Sequence, residues 1–162
     1  MAKVVPGRMT AELEGDFVVF LIGMRFNRPW HLRKIWLAFT AMPRMLRHLD
    51  RHPELGLLGH TLAISPNGPL LIQYWRSVEQ LEAFARAADA PHHPAWTAWN
   101  RLIGYQNPDV GIWHESYQVK AGAYECLYGN MPRYGLAAAG EHLPAGRKGE
   151  TAAQRRGADS AA

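Results

Sequence analysis

The sequence predicts an α+β fold, a ferredoxin-like split βαβ unit with an antiparallel sheet, completed as a dimeric α+β barrel. Three observations predict it. Apolar runs and turn signals alternate in the order strand, helix, strand, strand, helix, strand. Ser65-Pro66-Asn67-Gly68 is a tight turn, so the two strands it joins are antiparallel. The first strand, Phe17 to Met24, has no polar side chain at any position and needs cover on both faces. In a split βαβ unit the helices lie on one face only, and too few elements remain to cover the other. A second copy stacked sheet to sheet supplies that cover and leaves a cavity in each half.

Each element has a local reason. Residues 1–15 mix small, charged and apolar types and read as a lead-in arm. The first strand runs to about Phe26, where Asn27-Arg28-Pro29 breaks it. Pro29 suits the first turn of a helix that extends to about Arg51. Met42, Met45, Leu46 and Leu49 follow helical spacing there, and Pro43 either opens a second helix or kinks a single one. Leu55 to Ile64 and Pro69 to Trp75 are the paired strands. Ser77 is an N-cap with Gln80 completing a capping box, and Leu81, Phe84, Ala85 and Ala88 make the apolar stripe of the helix that follows. Pro94 opens a short helix carrying Trp96, Trp99, Leu102 and Ile103. Val110 to Val119 is a strand and Ala121 to Tyr128 a further one. One domain covers residues 1–139, and a flexible tail of Gly, Ala, Arg and Pro character covers 140–162.

Composition narrows the function. The 162 residues are 48% hydrophobic and 20% charged, enough for a packed core. The net charge is +4, but the basic residues are spread over helix faces and the tail without interleaved aromatics, which argues against nucleic acid. The longest apolar run is strand-sized and Met1 to Glu14 has no apolar leader segment, so no membrane role and a cytoplasmic location are expected. Cys126 is the single cysteine, so an intrachain disulfide and a multi-cysteine zinc site are excluded, and a packed thiol is the plain reading. A phosphate-binding glycine loop and a Gly-x-Ser-x-Gly elbow are both absent.

The chemistry-bearing candidates are polar residues inside apolar strands, where an unpaired polar group is costly. They are Arg25, His60, Gln73, Tyr74 and Trp75, and His114 beside Trp113. Alternation puts Gln73 with Trp75 on one face and His114 with Ser116 on one face. A second group is His92-His93-Pro94-Ala95-Trp96, with Trp99 and Asn100 one turn later. A histidine at a cavity mouth suits proton transfer near neutral pH and also iron ligation in haem proteins. Neither His92 nor His93 has a second ligand three or four residues on, so no mononuclear metal site is expected. His60, Tyr74, Trp75, Trp96, Trp99 and Trp113 are the expected pocket lining.

Several stretches, taken together, resemble one family. They are residues 15–25, Ala41-Met42-Pro43-Arg44-Met45-Leu46, Gln73-Tyr74-Trp75-Arg76-Ser77, His92-His93-Pro94-Ala95-Trp96, Val110-Gly111-Ile112-Trp113-His114-Glu115 and Asn130-Met131-Pro132. The chain resembles, over roughly residues 14–136, the bacterial and fungal family DUF4188, grouped with a fungal polyketide-pathway monooxygenase of the antibiotic-biosynthesis-monooxygenase type. The resemblance implies a homodimeric α+β barrel acting on a small apolar or polyketide-like molecule. It carries His92 and His114 over as pocket histidines without an assigned role; in the cofactor-free oxygenase reading His114 or His92 is the expected base, and Arg25, Gln73 or Asn100 steadies the oxyanion. Related barrels also include haem-dependent aldoxime dehydratases and proteins without demonstrated chemistry. A haem protein with His92 or His114 as proximal ligand, or a non-catalytic small-molecule binder, is therefore the alternative.

Overall fold

The computed structural model describes residues 2–28, 30, 32–87, 97, 101, 104, 106 and 108–156, with the backbone alone at 32–35 and 37–41. Seven strands form two antiparallel sheets. The larger has four strands in the order β3-β4-β2-β5, from β2 (Phe17–Phe26), β3 (Leu57–Ser65), β4 (Gly68–Trp75) and β5 (Val110–Val119). The apolar first strand of the sequence reading is β2, and it is central: β4 flanks it on one side and β5 on the other, residue for residue. Helices α1 (Leu32–Arg51) and α2 (Val78–Arg86) connect the strands in the expected order.

α1 is one continuous helix with Pro43 inside it. Its C-terminal half lays Met45 and Leu49 against Val18, Leu57 and Trp75, and α2 adds Phe84 to the same core. Trp75 is fully buried there and its ring lies 5.6 Å from that of Phe84. Ser77 caps α2 by accepting from the Gln80 amide at 3.2 Å. The expected capping box does not form, because the Gln80 side chain donates instead to the Glu54 carbonyl at 3.2 Å. At the β3–β4 turn, Ser65 Oγ accepts from the Asn67 amide and donates to the Gly68 carbonyl. Gly68 has φ +135°, and a Cβ there would overlap the Met24 carbonyl oxygen, so only glycine fits.

The second sheet departs from the sequence reading. The lead-in arm is a strand, β1 (Val5–Glu12), lying between β6 (Tyr128–Met131) and β7 (Glu141–Pro144). The strand expected over 121–128 begins only at Tyr128. Before it, the segment runs beside β1 but is tied by side chains: Thr10 Oγ1 donates to the Cys126 carbonyl at 2.8 Å and the Leu13 amide donates to Tyr124 Oη at 2.7 Å. The segment expected as a flexible tail carries secondary structure within residues 141–155. β7 pairs with β1 from Met9 to Glu12, and α3 (Leu136–Ala139) precedes it. α4 (Ala152–Arg155) follows, opened by a Thr151–Gln154 capping box. Arg155 explains this order. Its guanidinium meets Glu125 Oε1 at 2.7 and 2.6 Å and the Gly149 and Glu150 carbonyls at 3.2 and 3.0 Å, all within a side chain 5% exposed. The expected helix opening at Pro94 lies outside the described residues.

Candidate active site

Antiparallel register places directly opposed side chains on one face. His60, Gln73, Phe20 and Ser116 therefore form one row across the sheet, and Leu62, Leu71, Ile22 and His114 form the next. Both rows face the helices, as the contacts of neighbouring Val18, Leu57 and Trp75 with α1 and α2 establish. Period-two alternation thus brings His60, Gln73, Trp75 and His114 to one face.

Above these rows lies an almost wholly apolar cleft of about 80 Å³. Met42, Pro43 and Leu46 of α1 roof it, and Ile22, Leu71 and Ile112 floor it. His114 stands directly across from Ile22 and two residues from Ile112, so it shares the face of the cleft's floor, while Ile112 is the β5 residue that lines the cleft itself. It is exposed, and its ring lies 5.6 Å from that of Phe20. Gln73 is 2% exposed and sits one row along. Its Oε1 accepts from Trp75 Nε1 at 2.7 Å. An indole N–H only donates, so the amide oxygen must face Trp75, and the NH₂ end points the other way as a donor. His60 Nε2 lies 3.3 Å from Asp50 Oδ1, near the end of α1.

The other predicted residues go elsewhere. Arg25, Tyr74 and Trp113 are on the opposite face, one residue out of phase with the rows above. Arg25 is exposed at the end of β2. Trp113 lies flat on Gly23, where a Cβ would come within 2.5 Å of its Nε1. Tyr74 belongs to the core under the second sheet, with Phe17, Leu136, Tyr128 and Cys126. Burial pushes its hydroxyl pKa up, and that of Tyr128 further still. Cys126 is half-buried there, with Sγ accepting from the Ala11 amide at 3.3 Å. His92, Trp96, Trp99 and Asn100 lie outside the described residues.

The sequence reading missed the cleft. Met42 and Leu46 read there only as part of a helix stripe and Leu62 and Ile112 only as strand residues, and it is the register of β3 against β4 and of β5 against β2 that brings them together. It also missed Asp50 as the partner of His60; the signal was Asp50 next to Leu49 at the buried end of α1. Among the described residues no group of three or more His, Cys, Asp or Glu is placed to hold a metal ion. No helix of the described residues is long and apolar enough to cross a membrane.

Comparison with known proteins adds three findings. The model of the family described as Monooxygenase af470-like matches residues 17–136. Monooxygenase af470 of Aspergillus fumigatus is 32% identical over 152 residues, covering 80% of this chain and 53% of the relative. The chain therefore spans about half the length of that curated relative. A crystal structure of aldoxime dehydratase (OxdRE) in complex with butyraldoxime superposes with a TM-score of 0.63 at 17% identity, over 86% of this chain and 42% of the other. At that identity the likeness is one of fold.

Proposed function

The chain belongs to the monooxygenase af470-like family, and from that premise we propose that it is a monooxygenase whose small apolar substrate seats in the cleft between α1 and the four-stranded sheet. The supporting observation is that His114 ends the row of side chains flooring that cleft, on the same face as the Gln73 amide. The substrate's hydrocarbon part lies against Ile22, Leu71 and Met42, and its activated carbon faces His114. The imidazole takes a proton from that carbon as general base. The resulting carbanion adds to dioxygen. At an activated methylene the hydroperoxide then loses water to leave a carbonyl. One oxygen atom goes to the substrate and one to water, and all four electrons come from the substrate carbon, so no external reductant enters. Gln73, as a fixed donor, favours the enolate oxygen that shares the carbanion's charge. Arg25 has no part in this site, being on the other face.

Haem is the alternative cofactor. Of its two candidate proximal ligands, His114 is exposed on the cleft's side of the sheet and His92 lies outside the described residues, so the steps above are assigned to the chain's own side chains.

The barrel form of the fold is part of the same proposal. The second sheet and α3 cover part of the face opposite the helices, at Phe17, Val19, Leu58 and Tyr74, where the sequence reading expected cover only from a second copy; the rest carries Leu21, Leu70 and Ile72, half-buried, with Trp113 and Tyr117 exposed. A second copy seated on that face would give the dimeric α+β barrel, and Trp113→Lys should then shift the sedimentation coefficient to that of a monomer.

The test is a panel of small apolar compounds with acidified methylenes, incubated with protein under heavy-isotope dioxygen. Mass spectrometry should find one heavy oxygen in product, and His114→Ala should lower the rate about 100-fold or more. Turnover that is indifferent to His114→Ala sinks the assignment.

A further inference from the structure

A second hollow lies between the C-terminal end of α1, the turn Pro53–Leu55 and α2. Its volume is about 290 Å³, close to the ~300 Å³ at which small-molecule pockets begin. It shares no lining residue with the cleft. Leu55 and Phe84 give it apolar walls. Ala83 and Ala87, four residues apart at the end of α2, present only methyl groups and leave the space open.

The polar residues that line it are His48, Glu54 and Gln80, and each can accept a hydrogen bond. Glu54 Oε1 lies 2.8 Å from His52 Nδ1, and no other side chain among the described residues holds the carboxylate. Its own backbone amide, and then His52, keep the Glu54 carboxyl below the usual carboxylate range, so it is ionised at neutral pH. Gln80 Nε2 is already engaged, donating to the Glu54 carbonyl at 3.2 Å. Gln80 Oε1 is buried and has no donor, a costly state for an amide oxygen. Among the described residues no lysine or arginine lines the hollow. The site thus combines an apolar bed, a carboxylate and an amide oxygen that lacks its donor.

We propose that this hollow binds a small primary ammonium compound with an apolar body. The ammonium donates to the Glu54 carboxylate and supplies Gln80 Oε1 with its missing donor. The body lies against Leu55, Ala83, Phe84 and Ala87. The Glu54 charge repels an anion, and a neutral molecule of the same shape forgoes the charge-assisted hydrogen bond.

Benzylamine is the probe, and benzyl alcohol, nearly the same shape without the charge, is its control. Each is titrated into the chain at neutral pH and followed by amide NMR. Benzylamine should saturably shift the Gln80 side-chain amide and the backbone amides of Ala83 and Ala87. The alcohol should bind about tenfold more weakly or worse, the factor for losing a hydrogen bond to a charged group. Glu54→Gln should weaken benzylamine by a similar factor and leave the alcohol unchanged. Ala83→Trp, at an exposed position of α2 where added bulk spares the core, should exclude both compounds. If amine and alcohol bind equally, or if Glu54→Gln leaves benzylamine unaffected, the ammonium assignment is overturned. If benzylamine produces no saturable shift at Gln80, Ala83 and Ala87, or binds Ala83→Trp as tightly as the parent, the site itself is overturned. Neither result bears on the cleft, whose lining is separate.

Discussion

On the helix side of the four-stranded sheet, His60, Gln73 and His114 stand beside an apolar cleft; on the other side, Tyr74 stands in a closed core under the second sheet. The same strands supply both faces. On the second face most polar groups have found partners: Tyr128 Oη accepts from the Ala137 amide, Tyr124 Oη from the Leu13 amide, and Thr10 donates to the Cys126 carbonyl. His142 Nε2 is buried there without one. On the helix side, His114 is exposed and the Gln73 amide is fixed by a single donor. A face whose polar groups are spoken for holds the fold together, whereas a face with an open imidazole beside an apolar floor is where a ligand can be met.

The sharpest way to break this comparison is at Trp75, which serves the helix face both as core and as the anchor of Gln73. Trp75→Ala removes a fully buried indole and should cost about 3–5 kcal/mol in urea unfolding. Trp75→Phe keeps most of the packing but leaves Gln73 Oε1 buried without its donor, which costs about 1–3 kcal/mol. If the phenylalanine variant is as stable as the parent, the amide is not held by the indole.

On the second face the counterpart is Arg155. Arg155→Ala leaves Glu125, about a fifth exposed, without its guanidinium partner. The expected loss is about 1.5–3 kcal/mol, the range for hydrogen bonds to charged groups. Cys126, next along the chain, should then react faster with a disulfide reagent. Unchanged thiol kinetics would mean that the C-terminal segment does not shield this core.

How much of this was legible follows the same division. The four-stranded sheet could be read because β2 is apolar throughout and the Ser65–Gly68 turn fixes the pairing of β3 with β4. Gln73 and Trp75 could be put on one face by alternation alone. That His114 shares their face depends on the register of β5 against β2, which is set across more than ninety residues of chain and leaves no local mark. The same register separates Arg25 and Trp113 from His114 by one residue. The second sheet was not legible. β7 has four residues and β6 four, and what holds that region is Arg155 with Glu125 and side-chain bonds to β1, none of which has a periodic signature.

The half-buried tyrosines make the second face sensitive to alkali. Burial raises the pKa of Tyr74 and Tyr128 above the ordinary value of about 10. Below pH 10 both are neutral in folded and unfolded chains, and this contribution is fully present. Above it the unfolded chain ionises first and binds fewer protons than the folded one, so stability falls as pH rises toward the folded pKa. Urea midpoints measured from pH 8 to 11 should drop over the upper part of that range. Tyr128→Phe should flatten the drop more than Tyr74→Phe does, and an equal slope in both variants would place the alkaline sensitivity elsewhere.

The smallest effect belongs to an ion pair that looks like Arg155–Glu125 but stands in water. Asp16 precedes β2 and Lys120 follows β5, so their 2.6 Å contact spans the paired strand ends Phe17 and Val119. Asp16 also accepts from the Ala121 amide at 2.9 Å. Hydrogen bonding from Lys120, then from that amide, lowers the Asp16 pKa. A depressed carboxyl contributes above its unfolded pKa and loses that contribution as pH falls through the folded value. Both groups are fully exposed, so solvent and salt screen the pair and unfolding should barely register it. The readable quantity is the titration itself. Carboxyl-carbon NMR should show Asp16 titrating below an ordinary aspartate, and Lys120→Met should return it only part of the way, because the Ala121 amide remains. Full return would mean that the lysine alone holds the carboxylate, and that the backbone turn after β5 plays no part in closing this end of the sheet.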